Sequence, residues 1–193
     1  MDKYQQAIFD FATKDENFEF TFEIGNNFEL FRRKLINDFW DNVVFLLKEK
    51  SIELNGWIPW KENEVVTGGD TIAGIYSNEY YSENYDTSAN ISFFNWGDGR
   101  VLYGIFFNQK VPGINYDKIL EFAQKTIKSD WQIAPKSWWW PVYKYTGENF
   151  KTFLSLQKIL PNQREALAEE FVNNLINAKS ELSFLIEKFG VKF

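Results

Sequence analysis

The fold is decided by residues 88–109, which read SANISFFNWGDGRVLYGIFFNQ. Two apolar, aromatic runs, residues 88–96 and 101–109, flank the tripeptide Gly97-Asp98-Gly99. Runs of this length and composition are typical of strands, and a Gly-Asp-Gly turn between them favours a tight connection. The stretch therefore predicts an antiparallel hairpin.

Two more strands are predicted on the N-terminal side of this hairpin. Residues 71–76 are strand-like, and residues 18–24 alternate as FEFTFEI, the period of a half-buried strand. Residues 51–69 are predicted as an irregular loop because of Asn55-Gly56, Pro59 and Gly68-Gly69. Residues 131–147 are predicted as a loop or an edge strand.

Apolar residues at helical spacing predict five helices, over residues 2–12, 28–50, 115–128, 148–160 and 161–189. The second has an apolar stripe of Phe28, Phe31, Leu35, Phe39, Val43, Leu46 and Leu47. The last is the longest, and Gly190 follows it as a terminating residue. The pattern predicts a single α+β domain over residues 1–193, with an antiparallel sheet of about four strands packed by amphipathic helices and a long C-terminal helix.

The amino-acid composition excludes the commonest kinds of catalytic site. The chain has no cysteine and no histidine, which excludes disulfides, thiol nucleophiles and the usual zinc ligand and general base. No phosphate-binding loop or metal-ligand pattern stands out. We therefore expect no enzymatic activity, no catalytic residues, no cofactor and no metal. With no apolar run long enough to span a bilayer and no signal-peptide pattern, we expect a cytoplasmic protein without membrane contact.

Charge is unevenly distributed along the chain. Residues 1–100 have 9 basic against 18 acidic side chains, whereas residues 101–158 have eight lysines against four acids. The basic stretch contains Lys136 and Lys144, with aromatic residues between its lysines. Lysines beside flat rings are typical of a single-stranded nucleic-acid surface, although a solvated helix face followed by a core segment gives the same pattern.

The run Trp138-Trp139-Trp140 is the most unusual feature, because successive side chains of an extended chain alternate in direction. At least one indole is expected to be exposed, and exposed Trp is enriched in binding hot spots. Trp57 and Trp60, on the predicted loop, form a second candidate patch. The predicted partner-binding residues are Trp138, Trp139, Trp140, Tyr143, Lys136, Lys144, Trp57 and Trp60.

The order of elements resembles the C-terminal region of bacterial proteins of the PD-(D/E)XK nuclease superfamily. The resemblance rests on residues 91–96, the run 101–107, Trp131, residues 138–141, the helix after Pro161, and the earlier Phe39-Trp40 and Leu46-Leu47. No acidic residue is followed two positions later by lysine, so the metal-binding triplet of those nucleases is missing. The resemblance implies an accessory module, linked to bacterial defence or mobile elements.

The leading functional hypothesis is a non-enzymatic interaction domain that binds a protein, or a nucleic acid through residues 110–158. One alternative is a phage-encoded inhibitor of a host defence enzyme, in which the acidic residues 1–100 imitate nucleic acid. Another is a carbohydrate-binding module with an aromatic platform. The sequence leaves these alternatives open.

Overall fold

The computed structural model describes residues 3–62, 70–82, 87–95, 98–107, 115–127, 130–134 and 140–189. The chain divides into two compact units, Met1–Lys34 and Leu35–Phe193. A single domain over residues 1–193 stays a prediction. Within the described part of the chain, no helix is both long and apolar enough to cross a membrane.

The first unit is helical throughout its described residues. Helix α1 is Lys3–Ala12, and after a short turn α2 runs continuously over Asp15–Glu49, so that it continues into the second unit. The predicted strand over residues 18–24 is therefore wrong. The physical reason is that a helix satisfies its own backbone N–H and C=O groups, whereas an alternating segment needs a neighbouring strand.

The predicted stripe of α2 is correct only in its second half. Leu35, Phe39, Val43 and Leu47 are buried, whereas Phe28 and Phe31 are about half exposed. Helical spacing shows which residues share a face, but it does not show how far along the helix that face is covered. The core of the second unit begins at Leu35.

The sheet has six strands, where about four were predicted. They are β1 Trp57–Lys61, β2 Asp70–Ser82, β3 Thr87–Asn95, β4 Arg100–Phe107, β5 Gln132–Ile133 and β6 Val142–Asn149. Their order is β1-β2-β3-β4-β6-β5, and every neighbouring pair is antiparallel. The prediction missed β1. It left residues 131–147 as a loop or an edge strand: β5 is an edge strand, whereas β6 lies inside the sheet. The α+β class and the antiparallel sheet are confirmed.

Alternation along the strands gives the sheet two apolar faces. On the core face, Phe93 stacks on Phe171 with ring centroids 4.8 Å apart, and its ring lies 5.1 Å from that of Trp40. On the second face, a separate buried cluster contains Phe94 and Leu102. The core face therefore packs against α2 and α6, and the second face holds its own aromatic cluster.

Three further helices flank the sheet in sequence, besides the four-residue α3 (Ser51–Leu54). Helix α4 is Tyr116–Thr126, and the Asn115 side chain caps it by accepting a 3.0 Å hydrogen bond from the Lys118 amide, as its sequence predicts. Helix α5 is only Phe153–Lys158, because residues 148 and 149 belong to β6. Helix α6, Arg164–Phe189, confirms the long C-terminal helix.

Candidate interaction surface

The structure places one of the three consecutive tryptophans in the interior. Trp140 is only 5% exposed, and its ring lies 5.4 Å from Phe94 and 5.1 Å from Phe106 on the second face of the sheet. Lys136, Trp138 and Trp139 lie outside the described residues. Trp140 therefore belongs to a packed cluster and does not present its ring to a partner.

Tyr143 borders that cluster on strand β6. Its ring is perpendicular to that of Tyr145 at 5.8 Å, and the guanidinium of Arg100 lies 5.0 Å from the Tyr145 ring centroid. Burial raises the pKa of the Tyr143 hydroxyl, Tyr145 raises it further, and Arg100 opposes both. This half-buried group is neutral at physiological pH and can offer a phenol hydroxyl, but its ring already packs against the buried cluster and Tyr145.

Lys144 lies on the opposite face of β6 and has two partners there. Its ammonium forms an ion pair with Asp130 and lies 4.3 Å from the centroid of the Trp131 ring. The indole N–H of Trp131 donates a 2.7 Å hydrogen bond to Glu181. Lys144 and Tyr143 therefore do not form one surface, and the lysine is engaged by Asp130 and Trp131.

Other lysines of the basic stretch are also paired with acids. Lys125 lies 2.6 Å from Glu121 and Lys158 lies 2.5 Å from Glu148, which is itself buried. Pairing of this kind lowers the local positive potential that a nucleic-acid backbone would require. The positive balance of residues 101–158 is therefore partly neutralised where the structure describes it.

Trp57 and Trp60 lie on strand β1 and not on a loop, which corrects the sequence prediction. Because they are three residues apart on a strand, they point to opposite faces. Trp57 packs against the main core, and Trp60 pairs with Gly74 and so shares the second face. Pro59 misled the prediction, since β1 is an edge strand and an edge tolerates proline.

Tyr103, in the middle of strand β4, allows a test by pH. Tyr103 lies beside Trp131, at 5.5 Å between centroids. Burial raises the pKa of the Tyr103 hydroxyl above its ordinary value of about 10, and nearby carboxylates raise it further. A raised folded-state pKa gives stability that is complete below pH about 10 and is lost as pH rises through the folded pKa. We expect Tyr103→Phe to flatten the fall in unfolding free energy above pH about 10, in urea titrations at several pH values. An unchanged fall in the variant would contradict this.

The first unit carries a surface that sequence reasoning missed. Its large apolar side chains are exposed by 46% to 84%. They are Tyr4, Ile8, Phe9, Phe11, Phe18, Phe20, Phe22, Ile24, Phe28, Leu30 and Phe31. The sequence did contain a signal, the large number of aromatic rings in residues 1–34. These rings were predicted to be core residues, because residues 18–24 alternate like a strand and the following segment has an apolar helical stripe.

Six of these residues form a continuous band on α2, which we call the aromatic arc: Phe18, Phe20, Phe22, Ile24, Phe28 and Phe31. At 3.6 residues per turn they cover roughly 200° of the helix circumference. Glu16, Glu19 and Glu23 lie on the remaining side. Glu29 and Arg32 interrupt the arc near its C-terminal end and form an ion pair with each other at 2.7 Å. The helix is therefore amphipathic, with its apolar side open.

No metal cluster is seen in the described residues, where no group of three or more acidic side chains could hold an ion. No family model, no curated protein and no solved structure matches the chain. The resemblance to PD-(D/E)XK nuclease superfamily proteins stays a prediction.

Proposed function

We propose that the chain is a non-enzymatic protein-interaction domain that binds its partner through the aromatic arc. The observation that carries the proposal is the exposure of large apolar side chains along residues 3–34. The sequence predicted a contact surface at residues 131–145, but the described aromatic and basic groups there are packed or ion-paired. The proposal therefore places the contact surface on the first unit.

The size of the surface supports a specific contact. An aromatic side chain can bury about 150–250 Å², so at half exposure the six residues of the arc offer roughly 600 Å². The largest apolar patch of a typical monomer is about 300–600 Å², and such patches are often functional. The arc reaches the upper end of that range.

Charge favours a protein over a nucleic acid as the partner. Residues 1–34 have seven acidic and five basic residues, a balance of −2. The unit therefore has no excess of positive charge, on which affinity for a phosphate backbone depends. An apolar centre with a charged border is instead the usual anatomy of a protein–protein interface.

The test is affinity capture with the full chain, comparing Phe20→Glu/Phe28→Glu with the control Phe153→Glu/Leu154→Glu, whose two residues are 77% and 70% exposed on α5. We expect nuclease-resistant capture of a protein by the wild type and the control, and its loss in the arc variant. The captured protein is then purified and must bind stoichiometrically with the same dependence. Equal capture by the arc variant, or capture that nuclease abolishes, would overturn the proposal.

A further inference from the structure

We infer that the aromatic arc binds a second copy of this chain, with the two α2 helices packed antiparallel. This inference rests on the proposed function, since it names the partner of the same surface. Three features of α2 support it: the distribution of charge along its length, the position of a glycine, and the area of its apolar side.

Charges at the two ends of the exposed half of α2 are opposite in sign. Asp15 and Glu16 begin the helix. Arg33 follows Asp15 by 18 residues, and Lys34 follows Glu16 by 18 residues. Eighteen residues make five turns, about 27 Å, so each acid shares a line along the helix with its basic counterpart. Each line borders the arc on one side.

This arrangement is self-complementary in one direction only. Two copies packed antiparallel bring Asp15 and Glu16 of one chain opposite Arg33 and Lys34 of the other, at both ends of the contact. A parallel pair would bring like charges together, which is destabilising. The helix dipoles also oppose each other in the antiparallel pair. The charges therefore favour a second copy in a twofold arrangement, whose axis passes close to Ile24 and Gly25.

Gly25 is placed where two helices would approach most closely. It lies inside α2, where glycine is about 1 kcal/mol less favourable than alanine, and a Cβ added there would meet no atom within 4 Å. In the described part of the chain, therefore, no neighbouring atom requires a glycine at this position. Close approach of a second backbone at the twofold axis gives a reason for it.

The arc supplies most of the area that a stable dimer needs. A standard interface buries about 800 Å² on each partner. The arc offers roughly 600 Å² of apolar surface, and the charged side chains at its border add to the buried area. The interface would be symmetric, so each copy presents the same surface.

The first experiment measures mass by sedimentation at tens of micromolar. We expect the wild type at twice the 22.9 kDa of the chain, Ile24→Glu/Phe28→Glu at the monomer mass, and the control Phe45→Glu still dimeric. Phe45 lies on the same helix and is 57% exposed, which makes it a matched control. Circular dichroism checks that each variant retains its fold. A monomeric wild type, or a dimer that the Ile24→Glu/Phe28→Glu variant retains, would overturn the inference.

The absence of cysteine allows the direction to be tested cleanly. Ile24→Cys, beside the twofold axis, should form an intermolecular disulfide on mild oxidation, and Phe45→Cys should not. Reversing Asp15 and Glu16 to lysine should weaken the dimer at least tenfold, and reversing Arg33 and Lys34 to glutamate as well should restore it. A dimer without the Ile24→Cys disulfide, or without rescue, would contradict the antiparallel arrangement.

The failures of the two proposals are distinguishable. If the wild type is monomeric but still captures a different protein through the arc, the proposed function holds and this inference fails. If the arc variant changes neither mass nor capture, both fail. A dimer that depends on the arc, with no other protein captured, identifies the second copy as the partner.

Discussion

Trp40→Ala lowers the free energy of unfolding of the second unit by about 3–5 kcal/mol, in the range of large-to-small aromatic substitutions in cores. Trp40 is completely buried on α2. Its ring lies 5.2 Å from Phe39, 5.1 Å from Phe93 and 5.5 Å from Phe171, so it joins the helices to the core face of the sheet. Removing the indole leaves a cavity that three fixed rings cannot fill. Urea denaturation followed by circular dichroism measures the loss.

Trp40→Phe separates packing from polarity in the same experiment. The indole nitrogen of Trp40 is buried, and none of the described residues accepts its hydrogen. A buried unpaired donor is itself destabilising, so its removal offsets part of the volume lost. We expect a cost for Trp40→Phe of less than half that of Trp40→Ala. Phe45→Ala, exposed on the same helix, should change stability by less than about 0.5 kcal/mol. Equal costs for Trp40→Ala and Phe45→Ala would contradict the central position of Trp40.

The elements predicted correctly are those in which local pattern and tertiary packing agree. The stripe of α6 is buried as its spacing indicates, from Leu167 and Phe171 to Leu182 and Leu185. The hairpin of β3 and β4 pairs in regular register from Ala89 opposite Phe107 to Asn95 opposite Val101. In both, neighbouring residues carry the information, so the sequence alone is sufficient.

Residues 18–24 show where the local pattern fails. Their alternation is as regular as that of any strand in the chain, yet they form part of α2. A strand is stable only beside another strand, and that partner is not encoded within the seven residues. In the helix the same alternation places Phe18 and Phe22 on one side and Phe20 and Ile24 on another. The width of the aromatic arc is thus a consequence of a strand-like pattern in a helix.

The predictions for strands β1 and β6 were wrong for the opposite reason: their local sequence does not indicate a strand, yet the fold makes them strands. Pro59 and the glycines after it suggest a loop, although an edge strand accommodates proline. In β6, Tyr143 pairs with Gly104 of β4, about forty residues earlier, and this pairing decides that the segment is a strand. Contacts over such distances are set by the whole fold, which local propensity does not describe.

The candidate site was predicted less well than the fold, because exposure is a tertiary property. Alternation in Trp138-Trp139-Trp140 predicted at least one exposed indole, but it did not show which indole is buried; Trp138 and Trp139 lie outside the described residues. The structure buries Trp140 and engages Lys144 with Asp130. The rings of the first unit were assigned to a core because apolar periodicity is normally covered. Only the tertiary structure shows that they are exposed.

Gly104→Ala should destabilise the second unit by about 3 kcal/mol or more, above the usual range for overpacking. A Cβ at this position would overlap the carbonyl oxygen of Val142 and lie 2.7 Å from the Cα of Tyr143. Both atoms are backbone atoms of the neighbouring strand β6, so no side chain can turn aside and the β4–β6 pairing must open. Gly147→Ala is the matched control: its φ is +88° and nothing lies within 4 Å of the added atom. Only the left-handed backbone opposes that change, at about 1–2 kcal/mol. If urea denaturation gives Gly104→Ala no larger a loss than Gly147→Ala, strand β6 does not lie against β4 in this register.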